Sequence, residues 1–261
     1  MKHVDLNADM GESFGAWTMG LDTQLLPSIS SANIACGWHA GDPVVMQATV
    51  AAAVTAGVAI GAHPGYPDLA GFGRRSMALS SDEAHSAILY QAGALRAFAE
   101  AAGGRLSHVK PHGAMYNDAT VNPALARSIA KAVQALGGGV YLVGLPDCEL
   151  SKAAEELGLP YAREFFADRA YDDSGRLVPR SKPGAVIHNR ELAVGRTLTA
   201  IRTGSVPSMT GKPIPACFDT ICLHGDNPEA VDFARALRTA LQSGGIAVTP
   251  FRPVSAPGVL S

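Results

Sequence analysis

No stretch of this 261-residue chain is apolar for long enough to span a bilayer. The N-terminus, MKHVDLNADMGE, turns acidic before any run of signal-peptide length develops. An excess of charge is missing too: 21 Lys and Arg stand against 23 Asp and Glu, a net charge of −2. That leaves no broad attraction to nucleic acid or to an anionic membrane. Charged residues are scarce, 17% against 47% hydrophobic, which marks a globular chain with much buried surface. Four cysteines, Cys36, Cys148, Cys217 and Cys222, form no CxxC pair. That spacing excludes a zinc ribbon and a disulfide framework and leaves reduced thiols. The expectation is a soluble cytoplasmic protein.

Familiar catalytic signatures are absent as well. Gly211-Lys212 is followed by Pro213 where a P-loop needs Ser or Thr, and the preceding glycine is too far away. No GxGxxG follows a strand, and neither GxSxG nor HExxH occurs. The series Asp5, Asn7, Asp9, Gly11, Glu12 looks superficially like a calcium loop, but Glu12 stands at the wrong spacing.

What the chain does have is alternation. Short apolar runs at His3–Ala8, Ala32–Cys36, Val58–Ala62, His108–Lys110, Val140–Leu145, Tyr161–Phe166 and Thr220–Leu223 read as strands, with a weaker one at Ile246–Phe251. Helical periodicity lies between them, well punctuated. Asp42-Pro43 opens one helix and Gly57 closes it; Ser80-x-x-Glu83 is a capping box; Asn122-Pro123 and Asn227-Pro228 open two more. Ser208–Pro215 reads as an extended irregular loop. Strand–helix alternation predicts a parallel sheet, either open and doubly wound or closed into a barrel. At least six strands end in His, Asp, Glu or Asn beside glycine: NADMGE, CGWHAGD, GAHPGYPD, KPHGAMYN, FFADRAYD and LHGDNP. An open sheet gathers ligand groups mainly where its strand order reverses. A barrel brings every C-terminal strand end to one mouth, so the barrel is favoured. No linker, repeat or low-complexity segment divides the chain, and residues 1–261 are read as a single domain.

Period-2 alternation in the first strand sets Val4, Leu6 and Ala8 on one side and Asp5, Asn7 and Asp9 on the other. Polar residues on an inner face are costly unless they meet each other, water or a ligand. Asp5, deepest in the strand, reads as part of a structural network; Asp9 and Glu12, at the exit, read as functional. His39, His63, His112 and His224 all fall at strand ends. Asp42 and Asn227 are as well explained by helix capping. Lys110 reads as a strand residue whose ammonium points into the mouth, there to hold a carboxylate or phosphate or to act at depressed pKa. Gly113 reads as a close turn beneath a ligand. Arg74-Arg75, after GFG, suit a loop closing over an anion, or a solvated surface pair; Asp168-Arg169 and Arg180 are similarly open. Asp and His at strand ends can also form a hydrolytic zinc or manganese site, although the spacing here is not diagnostic.

DLNADMGE, SANIACGWHAGDP, GAHPGYPD, GFGRR, VKPHGAMYN and ICLHGDNP, in this order from about residue 3 to residue 252, together resemble the LamB/YcsF family, the A subunits of prokaryotic ATP-dependent 5-oxoprolinases. The resemblance implies a distorted (β/α) barrel of the glycoside hydrolase/deacetylase type with about seven strands. It implies ring opening of 5-oxoproline to L-glutamate coupled to ATP, and companion subunits B and C that use the ATP, with ATP turnover at a site in this chain other than a P-loop left open. The resemblance assigns no catalytic roles; those follow from chemistry. Opening a lactam needs an activated water, a stabilised oxyanion and a proton for the leaving nitrogen. Asp9 or Glu12 would be the base, with His39 and His63 as base or electrophile. Lys110 would steady the oxyanion and, with His112, anchor the substrate carboxylate or phosphoryl group. Asn7, Arg74, Tyr116, Asn117, His224 and Asp226 would complete the substrate site. Two alternatives stay open: a metal-dependent amide or carbohydrate hydrolase acting alone, and a non-catalytic lactam-binding protein of the complex.

Overall fold

The structure, a computed structural model, describes residues 3–223 and 228–250. Strand β1 (His3–Met10) shows how the barrel is specified. Val4, Leu6, Ala8 and Met10 are wholly buried on its outer face against the helices. Asp5 and Asn7 are equally buried on its inner face, so the strand is covered on both sides, as in a barrel. After helix α1 (Asp22–Leu25) come β2 (Ser31–Ala35), α2 (Pro43–Ala56), β3 (Ala59–His63) and α3 (Ser81–Ala101). Then follow β4 (Leu106–Val109), α4 (Gly113–Ala119), α5 (Pro123–Leu136), β5 (Tyr141–Gly144), α6 (Glu149–Glu156) and β6 (Tyr161–Phe166). The chain next leaves the barrel for α7 (Arg190–Thr203) and an antiparallel hairpin, β7 (Ser205–Pro207) with β8 (Pro213–Pro215). It returns as β9 (Thr220–Leu223), followed by α8 (Pro228–Ser243) and the short β10 (Ala247–Val248).

Strands β1 to β6 pair in sequence, each parallel to the next. Strand β9 pairs with β6 on one side and with β1 on the other, which closes a seven-stranded parallel barrel among the described residues. β10 adds to β1 only at His3 and Val4. The strands predicted from sequence are therefore all present within a residue or two at each end, except that the last is reduced to two residues and its predicted end, Phe251, lies outside the described residues. Among the described residues no helix is long and apolar enough to cross a membrane.

Helix starts follow their capping signals. The Asp42 carboxylate accepts the Val44 and Val45 N–H groups ahead of α2, Ser80 and Glu83 form the capping box of α3, and Asn122 caps α5. One reading fails: Ser208–Pro215 is not wholly irregular, because Pro213–Pro215 pairs with Ser205–Pro207. A two-stranded ribbon has free edges, so Pro207, Pro213 and Pro215 lose little by lacking an N–H there. Helix α7 was not anticipated because it buries only Ala193, Thr197 and Ala200 and so shows little apolar period.

Candidate active site

The inward faces of the strands stack polar residues in layers. At the floor, Asp5 accepts hydrogen bonds from Ser30 Oγ (2.7 Å), Ser31 Oγ (2.6 Å) and Thr220 Oγ1 (2.5 Å). Burial nevertheless raises its pKa to about 6. One layer up, Asn7 donates to Glu164 Oε1 (3.1 Å) and Thr220 Oγ1 (2.7 Å) and accepts from Asn33 Nδ2 (2.7 Å). The Lys110 ammonium enters this layer. It contacts Glu164 Oε1 (2.9 Å), Asp9 Oδ1 (3.0 Å), Cys222 Sγ (3.1 Å) and Asn7 Oδ1 (3.2 Å).

The mouth lies directly above. Asp9 Oδ1 is held by Lys110 and by Asn33 Nδ2 (2.9 Å), and its Oδ2 stands 3.2 Å from His63 Nε2. His63 Nδ1 donates to the Lys110 carbonyl (2.7 Å), which fixes the ring. His112 Nε2 donates to the Phe72 carbonyl (2.8 Å), and its Nδ1 is 3.0 Å from His63 Nε2. His39 stacks on His112, with centroids 3.7 Å apart and planes within 3°. Its Nε2 lies 3.6 Å from Glu12 Oε1, which is also 3.8 Å from His112 Nδ1. Burial holds the pKa of His112 down to about 3 and that of His39 well below the ordinary imidazole value. Gly73 lets the loop pass close by. It has φ +61°, and a Cβ there would sit 2.8 Å from both His112 Cδ2 and His39 Cβ. Ligand atoms of Glu12, His39, His63 and His112 all lie within 4.8 Å of one another, so these four could hold a metal ion.

Outside this cluster opens a cavity of about 770 Å³, within the range of small-molecule sites. Asp9, Glu12, His63, Lys110 and His112 form its base, and Arg74, Tyr116, Asn117, Arg169 and Arg180 are among its walls. The Arg74 guanidinium lies 4.9 Å over the Phe72 ring.

Residues 4–256 match the LamB/YcsF family. The chain belongs to the LamB/YcsF family. It is 54% identical over 245 residues to a protein of Methylococcus capsulatus named as the A subunit of 5-oxoprolinase, covering 94% of each chain. The protein of that name in Bacillus subtilis is 50% identical over 249 residues, covering 95% of this chain and 97% of its own. Among solved structures, the lactam utilization protein from Thermus thermophilus superposes with a TM-score of 0.91 at 47% identity, covering 95% of this chain and all of its own.

Several expected roles change in this LamB/YcsF barrel. Asn7 is 1% exposed and committed to protein partners, so it does not reach a ligand. Period 2 put it on the inner row with Asp9, yet two residues of strand place it about 6–7 Å deeper. Lys110 follows β4 rather than lying on it, and its pKa is not depressed. Burial opposes the ammonium, but Asp9, Cys222 and Glu164 together raise the pKa well above the usual lysine value. Four protein acceptors surround the ammonium, which is held between Asp9 and Glu164. Tyr116 and Asn117 stand on α4, which begins at Gly113, so VKPHGAMYN is strand, short crossing and helix. A Cβ on Gly113 would meet the Gly73 carbonyl at 2.6 Å, so this glycine allows the two segments to approach closely at the cavity wall. Arg75 pairs with Asp68, while Arg74 faces the cavity. Arg169 donates to the Val178 and Ala185 carbonyls. Besides capping α2, Asp42 accepts the Gly15 N–H (2.8 Å). His224, Asp226 and Asn227 lie outside the described residues. Glu164 and Asn33 were missed. The available signal was a carboxylate in the middle of YAREFF, on the same strand face as Ala162 and Phe166.

The buried imidazoles predict how stability depends on pH. His108 donates from Nε2 to Asn33 Oδ1 (2.7 Å). Burial first, then the Lys110 charge, lowers its pKa from 6.5 to about 3. Between these values the folded chain binds fewer protons than the unfolded one. The stabilisation is therefore complete above pH 6.5 and is lost as pH falls toward 3. Asp5, raised to about 6, acts in the opposite sense between about pH 4 and 6. Comparison with a His108→Gln variant isolates the histidine. From pH 7 to pH 4 the unmodified chain is expected to lose roughly 3 kcal/mol more than the variant in urea unfolding. Parallel profiles would contradict this.

Proposed function

We propose that this chain is the A subunit of an ATP-dependent 5-oxoprolinase and carries the ring-opening step. The observation that carries the reading is the mouth itself: Asp9, Glu12, His63 and His112 converge at the base of one cavity whose wall holds Arg74 and Arg180, with His39 buried against His112. The names of close relatives point to the same substrate. ATP is used by companion subunits B and C, in keeping with the absence of a P-loop in the sequence. They phosphorylate the lactam oxygen, which makes the ring carbon electrophilic. Asp9, held by Lys110 and Asn33 with one oxygen toward His63, is the base that takes a proton from the attacking water. The C–N bond of the tetrahedral adduct breaks, and Asp9 hands the proton it took from water to the leaving nitrogen. The γ-glutamyl phosphate so formed releases phosphate on hydrolysis, leaving glutamate. Arg74, Arg180 and Asn117 bind the anionic groups of the substrate at the cavity wall.

Such an activated lactam is short-lived in water, so transfer between subunits happens at or near the barrel mouth. The purified chain alone is expected to release little or no glutamate from 5-oxoproline, with or without ATP. Addition of both companion subunits should give glutamate, ADP and phosphate together. Glutamate and ADP are assayed separately. ATP-independent turnover by the chain alone would favour a stand-alone hydrolase. ATP-dependent turnover by the chain alone would overturn the division of labour.

A further inference from the structure

We infer that Glu12, His39, His63 and His112 form a binding site for one divalent first-row transition metal ion. Hydrogen bonding leaves little choice of tautomer. His63 Nδ1 faces the Lys110 carbonyl at 2.7 Å and His112 Nε2 faces the Phe72 carbonyl at 2.8 Å. Carbonyl oxygens only accept, so both of those nitrogens carry the ring proton. In the neutral rings His63 Nε2 and His112 Nδ1 are then bare lone pairs, and they point at each other across 3.0 Å. The Asp9 carboxylate adds a third acceptor 3.2 Å from His63 Nε2. Acceptors this close repel one another unless a cation lies among them.

A proton satisfies only one such pair, whereas the cluster is larger. His39 is fully buried, and neither of its ring nitrogens makes a hydrogen bond. Its Nε2 points toward Glu12 Oε1 at 3.6 Å, and Glu12 Oε1 stands 3.8 Å from His112 Nδ1. The ligand atoms spread over 4.8 Å, whereas two nitrogens on a tetrahedral ion stand ~3.4 Å apart, so His39, stacked flat on His112, tilts out of the stack and closes in by roughly 1.4 Å on binding. Backbone carbonyls orient His63 and His112 from behind, as the outer partners of metal-bound histidines commonly do. Three imidazoles and one carboxylate favour zinc or a neighbouring ion over magnesium or calcium, which prefer oxygen donors. When bound, the ion supplies Lewis-acid polarisation beside Asp9, at the base of the cavity.

The test needs neither lactam nor ATP, so its failure is separable from failure of the proposed reaction. The full chain is stripped with a chelator and titrated with Zn²⁺ by calorimetry, and with Co²⁺ by visible absorption. One equivalent is expected to bind, and Co²⁺ should develop ligand-field bands of a nitrogen-rich site. His39→Gln and His112→Gln should each weaken Zn²⁺ binding at least ~10-fold with unchanged far-ultraviolet circular dichroism. Should a variant unfold, imidazole ¹⁵N shifts of the unmodified chain on adding Zn²⁺ identify the rings that bind. Sub-stoichiometric binding, binding indifferent to both substitutions, or ¹⁵N shifts showing only a proton shared by His63 and His112 would overturn the inference.

Discussion

Asp9→Asn is expected to lower glutamate formation by the assembled enzyme at least ~100-fold while the barrel stays folded. The expectation rests on how Asp9 is held. Lys110 and Asn33 grip one oxygen, and the other is left at the mouth beside His63. An amide at this position keeps the size of the carboxylate and an acceptor for Lys110, but it cannot take a proton from water. The cost to folding is limited because Lys110 retains Glu164, Asn7 and Cys222. Stability and turnover therefore separate in this variant, which a purely structural role would not allow. Steady-state glutamate release is measured beside urea unfolding. A folded Asp9→Asn enzyme within a few-fold of normal rate would remove Asp9 from the chemistry.

Lys110→Met should produce the largest loss of stability, about 3–5 kcal/mol near neutral pH. Glu164 is buried on a barrel strand, and its Oε1 takes the Lys110 ammonium at 2.9 Å. Removing the cation leaves that carboxylate, with Asp9 near it, uncompensated inside the lumen. Taking both charges away is milder, so Lys110→Met combined with Glu164→Gln should recover part of the loss. Urea unfolding of the three proteins tests this. A single variant that loses less than about 1 kcal/mol would mean that water reaches Glu164 and screens it.

Much of the scaffold was legible because its signals are local. Asp42-Pro43, Ser80-x-x-Glu83 and Asn122-Pro123 announce helix starts through hydrogen bonds reaching only two or three residues. The hairpin of Pro213–Pro215 and helix α7 escaped notice for the converse reason. One is rich in proline and the other buries little apolar surface, so neither carries a strong period. A closed rather than open sheet was inferable because polar residues ended nearly every strand, a pattern that needs all the ends at one mouth.

The sequence alone determined which residues would face inward. Side chains alternate along a strand whatever surrounds it, and Asp5, Asn7 and Asp9 could be placed on one inner face from spacing two apart. It also singled out His39, His63 and His112, because each follows a strand and stands beside glycine or alanine. Depth and partnership were decided only by the tertiary structure. Whether an inward residue meets ligand or protein depends on the register between strands distant in sequence. β1 pairs with β2 and β9 so that Asn7 lies against Ser31 and Cys222, while Asp9 stands one layer higher. The lumen then brings Lys110 to Glu164 across 54 residues and His63 to His112 across 49. Those contacts turned a supposed anion anchor into a buried cation and set two bare imidazole nitrogens face to face. Register and closure arise from packing the whole barrel at once, and no local stretch of sequence encodes them.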